Sequence, residues 1–203
     1  MGEICCMKHM IFTRCNFFDD SLFFKYFEVM KLFYIPSLKS QINKNFDLYI
    51  DTNPDFPSHR LAIGEQFLDS EISLSFNTSG MRDKATQKNY EIQTRHDCDD
   101  YMSENYVLEI QKTYNENIEK FDAFIIHAQP VIKYLKNGKE RDLPPYTSTR
   151  VSMFSSLCQK KCKNYIMDTS HGELWTICPN VVDLGCGLVK WISHSNNISN
   201  TRK

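Results

Sequence analysis

The sequence predicts an α/β domain whose mixed, mostly parallel sheet is flanked by helices, and three observations carry that expectation. Two strand-like runs, Lys8-His9-Met10-Ile11-Phe12-Thr13 and Asn45-Phe46-Asp47-Leu48-Tyr49-Ile50-Asp51, are separated by a helical pattern. That is the order of a right-handed βαβ unit with a parallel strand pair. A further run, Tyr90-Glu91-Ile92-Gln93-Thr94, has Tyr, Ile and Thr on an alternating pattern suited to a pleated surface. Nothing marks an interdomain linker, so the 203 residues are expected to form one domain over 8–200 behind an N-terminal tail of residues 1–7.

The elements follow in order. Lys8–Thr13 is a largely buried first strand with Arg14-Cys15-Asn16 at its carboxyl end. From Leu22 to Lys39, the residues Phe23, Phe27, Met30, Leu32, Phe33, Tyr34 and Leu38 recur at mostly helical spacing, and Pro36 is expected as a break. The second strand ends in Asp51, and Thr52-Asn53-Pro54-Asp55-Phe56-Pro57 is its turn-rich exit. Leu61 to Leu68 reads as a short helix, Glu71 to Phe76 as a weak strand, and Asn77-Thr78-Ser79-Gly80 as a turn. After the strand over 90–94, Tyr101 to Tyr114 reads as a helix. Asp122–His127 and Val131–Leu135 read as two strands, followed by the turn Lys136-Asn137-Gly138-Lys139. A short helix is expected within Thr147 to Cys158, and the tail after Ser193 is rich in Asn and Ser.

Hydrophobic residues make up 41% and charged residues 24%, ordinary for a soluble globular protein. A net charge of -1 supplies no basic field for nucleic acid, so none is expected as a partner. No stretch approaches the roughly 20 apolar residues of a membrane span, and the N-terminus lacks a signal peptide's apolar core, so a cytoplasmic protein is expected. Met1-Gly2-Glu3-Ile4-Cys5-Cys6 approaches an acylation signal but has Cys where the myristoylation pattern wants Ser or Thr, leaving only peripheral membrane association open. The 8 cysteines are spread along the chain, and reduced thiols are expected. The spacings of Cys158, Cys162, Cys178 and Cys186 fit no common zinc ligand pair.

The segment richest in chemistry is Arg95-His96-Asp97-Cys98-Asp99-Asp100, which crowds three carboxylates at a strand end. Their mutual repulsion costs stability unless cations or donors neutralise it. A hard divalent ion does so, since magnesium or manganese needs only one or two protein carboxylates when substrate phosphates complete its shell. The same residues also read as a polar turn, with Asp99 or Asp100 as the N-cap of a helix and Glu104 in its first turn. A second string, Val181-Val182-Asp183-Leu184-Gly185-Cys186-Gly187, mimics the first motif of S-adenosylmethionine methyltransferases. Val189 replaces its third glycine, and too little chain follows to build that fold's sheet.

Four strings, in order, carry a family resemblance: Phe12-Thr13-Arg14-Cys15-Asn16, Pro36-Ser37-Leu38-Lys39-Ser40-Gln41, Thr94 to Asp100, and Trp191-Ile192-Ser193-His194-Ser195-Asn196-Asn197-Ile198-Ser199. From about Met10 to Asn200 the chain resembles the rhamnosyltransferase family of GT-A-type glycosyltransferases. The resemblance implies a Rossmann-like GT-A domain and a metal-dependent glycosyltransferase. It would move a sugar from a nucleoside-diphosphate donor, bound over the N-terminal half, to a glycan or other hydroxyl acceptor. Asp97, Asp99 and Asp100 match the family's DxDD motif; Asp97 and Asp99 would hold manganese or magnesium, with His194 completing the shell. Thr13, Arg14, Asp51, Arg95 and Asp97 would contact the nucleotide sugar. The His96 and Cys98 within the motif depart from the family's usual small or apolar residues, and Cys98 is expected in the core.

Glycosyl transfer needs stabilisation of the leaving diphosphate, for which Arg14 and Arg95 are the candidates; Arg95 reads equally as an ion-pair partner of Asp97, and Asp51 as a cap on its turn. An inverting enzyme also needs a carboxylate to take the acceptor's proton, and Glu173 and Asp183 are the two candidates, Glu173 being favoured over an Asp183 set in an apolar run. Two other readings compete with the enzyme: a non-catalytic, partner-binding remnant of the fold, and a phosphohydrolase using Asp97 and Asp99, which would need a further Asp/His cluster.

Overall fold

The computed structural model describes residues 7–77, 88–136, 139–143, 154–161, 165–166 and 173–193, with the backbone alone at 132–136, 139–143 and 193. In chain order it contains β1 (His9–Cys15), α1 (Asp20–Val29), a π-helical segment (Met30–Tyr34), α2 (Ile35–Lys39), β2 (Asp47–Thr52), α3 (Pro57–Glu65), β3 (Ser73–Asn77) and β4 (Ile92–Asp97). There follow β5 (Tyr101–Met102), α4 (Tyr106–Asn117), β6 (Ala123–Lys136), β7 (Lys139–Leu143), β8 (Ser155–Gln159), α5 (Leu174–Ile177) and β9 (Val181–Ser193). Among the described residues the strands form one sheet in the order β3-β2-β1-β4-β8-β6-β9-β5, with β7 beside β6. β3, β2, β1 and β4 are parallel neighbours, β8 is inserted antiparallel between β4 and β6, and β6 pairs in parallel with β9. The α/β class and the mixed sheet expected from the sequence are therefore present.

Strand alternation divides the core into two faces. Ile11 and Cys15 of β1, with Leu48, Ile50 and Ile92, pack against Phe23, Tyr26, Phe27, Met30, Tyr34 and Leu38 and against Tyr106, Val107 and Ile110 of α4. The opposite parity, Met10 and Phe12 with Ile125 and Leu157, packs against Ile166, Leu174 and Cys178. One face is thus packed against helices, the other against Ile166, Leu174 and Cys178. Arg14 has the parity of Met10 and Phe12, so it extends the second face at the carboxyl end of β1.

Several expectations are corrected. Pro36 does not stop the helical run, because the π turn precedes it: the Ile35 N–H bonds back to the Met30 carbonyl, and Pro36 falls in the first turn of α2, where no proline N–H is required. α3 starts at Pro57, before Leu61, and Phe56 is its N-cap. The acidic motif does not cap a helix. β4 runs on through Arg95, His96 and Asp97, the chain then enters β5, and α4 begins only at Tyr106 after Asn105. The two strands around Gln129 are one long β6, with register shifts between His127 and Pro130 against β9. Ser155–Gln159 is a strand at the end of the segment 147–158, within which a short helix was expected; residues 147–153 of that segment lie outside the described residues. Residues 78–80 of the expected turn, and 1–6 of the tail, also lie outside them.

α1 illustrates how local chemistry fixes an element that borders the site. Asp19 has extended backbone (φ -153°, ψ 151°), and its side chain accepts the Leu22 N–H at 2.7 Å, a standard N-cap one turn before buried Phe23. Asp19→Ala is expected to lower stability by about 1 kcal/mol, measured as a shift in the urea midpoint at unchanged slope.

Candidate active site at the carboxyl edge of the sheet

Three charged residues come into line at the carboxyl ends of the parallel strands. Arg14 of β1 is in register with Asp51 of β2 on one side and with Asp97 of β4 on the other. Neighbouring strands lie about 4.8 Å apart and in-register residues share a face, so a carboxylate flanks the arginine on each side. Two residues back along the strands, Arg95 is in register with Phe12 and with Ser155, so it belongs to the same face. The row continues through Ser155 to His127 on β6 and to Asp183 on β9. The sequence groups these residues only as separate strand ends; the pairing places them on one surface.

The electrostatics differ along that row. Asp51 is fully buried, and among the described residues neither of its oxygens meets a donor in hydrogen-bonding geometry. Burial raises it above the usual carboxylate range, opposed by the nearby Asn16 side chain and by Arg14. Burial likewise lowers the Arg95 guanidinium, with Asp97 opposing and Arg14 adding to the shift, and the Arg95 Nε finds no partner among the described residues. Arg14 itself is exposed. Buried polar atoms without protein partners, next to an exposed guanidinium, are the surface a polar anionic ligand would complete.

Beyond Asp97 the acidic turn separates three roles. Cys98 is 4% exposed, in the core as expected, and its thiol lies against that of Cys15. Asp99 is nearly buried. Asp100 is fully buried and its Oδ1 accepts the Ile192 N–H at 2.9 Å; burial first, then the charges of Asp99 and Asp97, push its carboxyl well above the usual range. No group of three or more His, Cys, Asp or Glu side chains converges on one point among the described residues. Asp97 and Asp99 remain as hard oxygen donors, a set that fits magnesium or manganese completed by ligand phosphates and water. His194 lies outside the described residues.

Two sequence-based candidates change standing. The Thr13 side chain is fully buried on the helix-covered face and hydrogen-bonds the Tyr34 hydroxyl, so it does not face the row that contains Arg14. Tyr34, brought there by the π turn, also stacks on the buried His96 with ring centroids 5.5 Å apart, fastening the helical layer beneath the site. Asp183 is exposed on β9, but its two oxygens accept the Gln129 Nε2 at 2.7 Å and the Gly185 N–H at 2.7 Å. Gly185 (φ 73°) and Gly187 (φ 104°) adopt left-handed backbone with nothing near a would-be Cβ, so they form a bulge in β9 rather than a cradle for a cofactor. Glu173 is exposed at the N-cap of α5, and the next residue, Leu174, is seated on the second face. Asn16 and His127 join the site without having been singled out from the sequence; cross-strand register, which one strand's sequence does not contain, was the missing signal.

In open α/β sheets ligands bind in the crevice outside the carboxyl ends of the strands, which is where these charged residues collect. The chain belongs to the family described as "Putative rhamnosyl transferase", whose sequence profile matches residues 14–203. Comparison with curated proteins returned no sequence match. Among solved structures the fold is similar to the S. aureus TarS fragment 1-349 in complex with UDP-GlcNAc, with TM-score 0.58 and 12% identity over 97% of this chain and 62% of that one. The UDP complex of the same fragment gives TM-score 0.56 and 13% identity over 92% of this chain and 61% of that one. S. aureus TarS itself gives TM-score 0.58 and 14% identity over 92% of this chain, which spans 37% of its length. Among the described residues no helix is long and apolar enough to cross a membrane.

Proposed function

We propose that this chain transfers a sugar from a nucleoside-diphosphate donor to a hydroxyl acceptor, with the donor lying across the carboxyl ends of β2, β1 and β4. The observation that carries the reading is the in-register row Asp51–Arg14–Asp97 on one face, backed by Arg95. Asp51, buried and without a hydrogen-bonding partner among the described residues, takes hydrogen bonds from the nucleoside; Arg14, exposed between two carboxylates, and Arg95, partly buried, meet the diphosphate. Asp97 and Asp99 would hold a divalent ion, manganese or magnesium, which when bound offsets the charge growing on the leaving diphosphate. Glu173 takes the acceptor's proton, because Asp183 has both oxygens engaged in its own bulge. The UDP and UDP-GlcNAc complexes of the similar fold make a nucleotide sugar the natural donor class, and the family's description makes rhamnose the first sugar to try.

The test is a thermal-shift titration with manganese and UDP, GDP or dTDP on the wild type and on Asp99→Ala. A ligand that binds only the folded chain adds about 2.7 kcal/mol at a hundredfold excess over its dissociation constant. A manganese-dependent shift with one nucleotide, lost in Asp99→Ala, is expected. Wild type that shifts with none of the three would count against the donor site.

A further inference from the structure

Asp100 differs from the other two aspartates of its motif in what it touches. It is 1% exposed, and its Oδ1 accepts the backbone N–H of Ile192, a residue 92 positions away that is itself fully buried. We propose that Asp100 is a positioning residue, a clasp that fastens the carboxyl end of β9 to the acidic turn, rather than a third carboxylate for a metal ion. The inference rests on the donor-site reading above for what is being positioned, but the clasp itself is geometric.

The pairing of β5 with β9 explains why a side chain is needed there. Tyr101 faces Lys190 and Met102 faces Val189 in antiparallel register, so one more step along the ladder would set Asp100 opposite Trp191 and the step after it Asp99 opposite Ile192. The chain turns instead, with the Asp100 N–H directed to the Asp97 carbonyl at 3.3 Å, and the backbone leaves the ladder. The amide of Ile192 is buried and still requires an acceptor. Oδ1 of Asp100 supplies it at 2.9 Å. The seam is reinforced on its other side by the Ser103 N–H bonding the Leu188 carbonyl at 2.8 Å and by the Lys190 ammonium 5.3 Å from the centre of the Tyr101 ring. Asp99 and the end of β9 are thereby held at a fixed separation, and a clasp that orients a ligand-bearing turn acts on affinity without touching the ligand.

Two variants separate a clasp from a ligand. Asp100→Asn keeps an oxygen acceptor for the Ile192 amide, whereas Asp100→Ala removes it. Hydrogen exchange at the Ile192 amide, measured without metal, reads the clasp; manganese binding in the presence of UDP, GDP or dTDP, followed by the electron paramagnetic resonance of free Mn2+, reads its consequence. Asp100→Asn is expected to match wild type in both. Asp100→Ala is expected to speed exchange at Ile192 by about tenfold or more, and to weaken manganese by about 10–100-fold, the usual cost of losing an outer partner of a metal site. If Asp100→Asn loses manganese as completely as Asp99→Ala, Asp100 is a ligand and the proposal is overturned. Unchanged exchange at Ile192 in Asp100→Ala overturns it as well. Should Asp100→Ala not fold, the Asn variant decides alone, since the clasp requires it to keep wild-type protection. Wild type that binds no manganese with any of the three nucleotides would fail the donor-site reading, while the exchange data still decide the clasp.

Discussion

Glu173→Gln is expected to lower the turnover of sugar transfer by about 10²–10⁴-fold, the range supplied by a positioned general base, with the dissociation constant of the nucleotide unchanged. Asp183→Asn is expected to keep turnover within a few-fold of wild type. The contrast comes from what each carboxylate is doing. Asp183 lies on the same face as Arg95, but its oxygens are taken by Gln129 and by the Gly185 amide, and it holds the bulge that lets β9 follow β6 past Pro130. Glu173 is exposed at the start of α5, whose next residue is anchored among Met10, Phe12 and Ile125 on the site face. The measurement is kcat and KM with the donor identified by thermal shift, together with nucleotide affinity. Turnover retained by Glu173→Gln and removed by Asp183→Asn would reverse the assignment; parallel loss of turnover and nucleotide affinity would place Glu173 in the donor site instead.

The parallel half of the sheet was legible because β1 and β2 are apolar runs on either side of a helical pattern, β4 alternates, and each has a charged residue at or next to its carboxyl end. The acids at those ends, Asp51 and Asp97, were legible for the same reason. Their alignment on Arg14 was not, since register with strands whose acids lie 37 and 83 residues further on is a property of pairing. Alternation also separates two neighbours: adjacent residues of a strand point to opposite faces, so Thr13 does not share the face that carries Asp51, Arg14 and Asp97. β5 is two residues long and exists only through its partner β9, 88 positions away, which hid it behind the apolar spacing of the following helix. Asp99 and Asp100 resemble helix caps in type and position, but the Asp100 carboxylate is spent on Ile192, so α4 starts at Tyr106. The glycines of β9 mimic a cofactor turn because both settings need left-handed backbone.

Acidification is expected to destabilise the fold through His9. This side chain is 1% exposed beneath β1 and β4; its Nε2 bonds the Thr94 hydroxyl at 2.7 Å, which in turn lies 2.5 Å from the Ser156 hydroxyl, and its Nδ1 faces the Gln111 amide at 3.4 Å. A neutral imidazole that donates from Nε2 and accepts at Nδ1 satisfies this chain in one direction. A second proton on the ring would convert Nδ1 from acceptor to donor against the Gln111 N–H, and would place a charge in a buried site. Burial accordingly pushes the imidazole down from its ordinary 6.5 to about 3. The unfolded chain takes up this proton below pH 6.5 and the folded one only near pH 3, so the stability due to neutral His9 is complete above pH 6.5 and falls progressively as pH drops toward 3. At 1.36 kcal/mol per pH unit the loss between pH 7 and pH 4 is about 3 kcal/mol, a sizeable part of a typical domain's stability. Urea unfolding of wild type and His9→Gln across that interval checks it. Gln carries no proton to titrate, so its pH profile should be flatter by about that amount. Parallel profiles would assign the acid sensitivity to other groups.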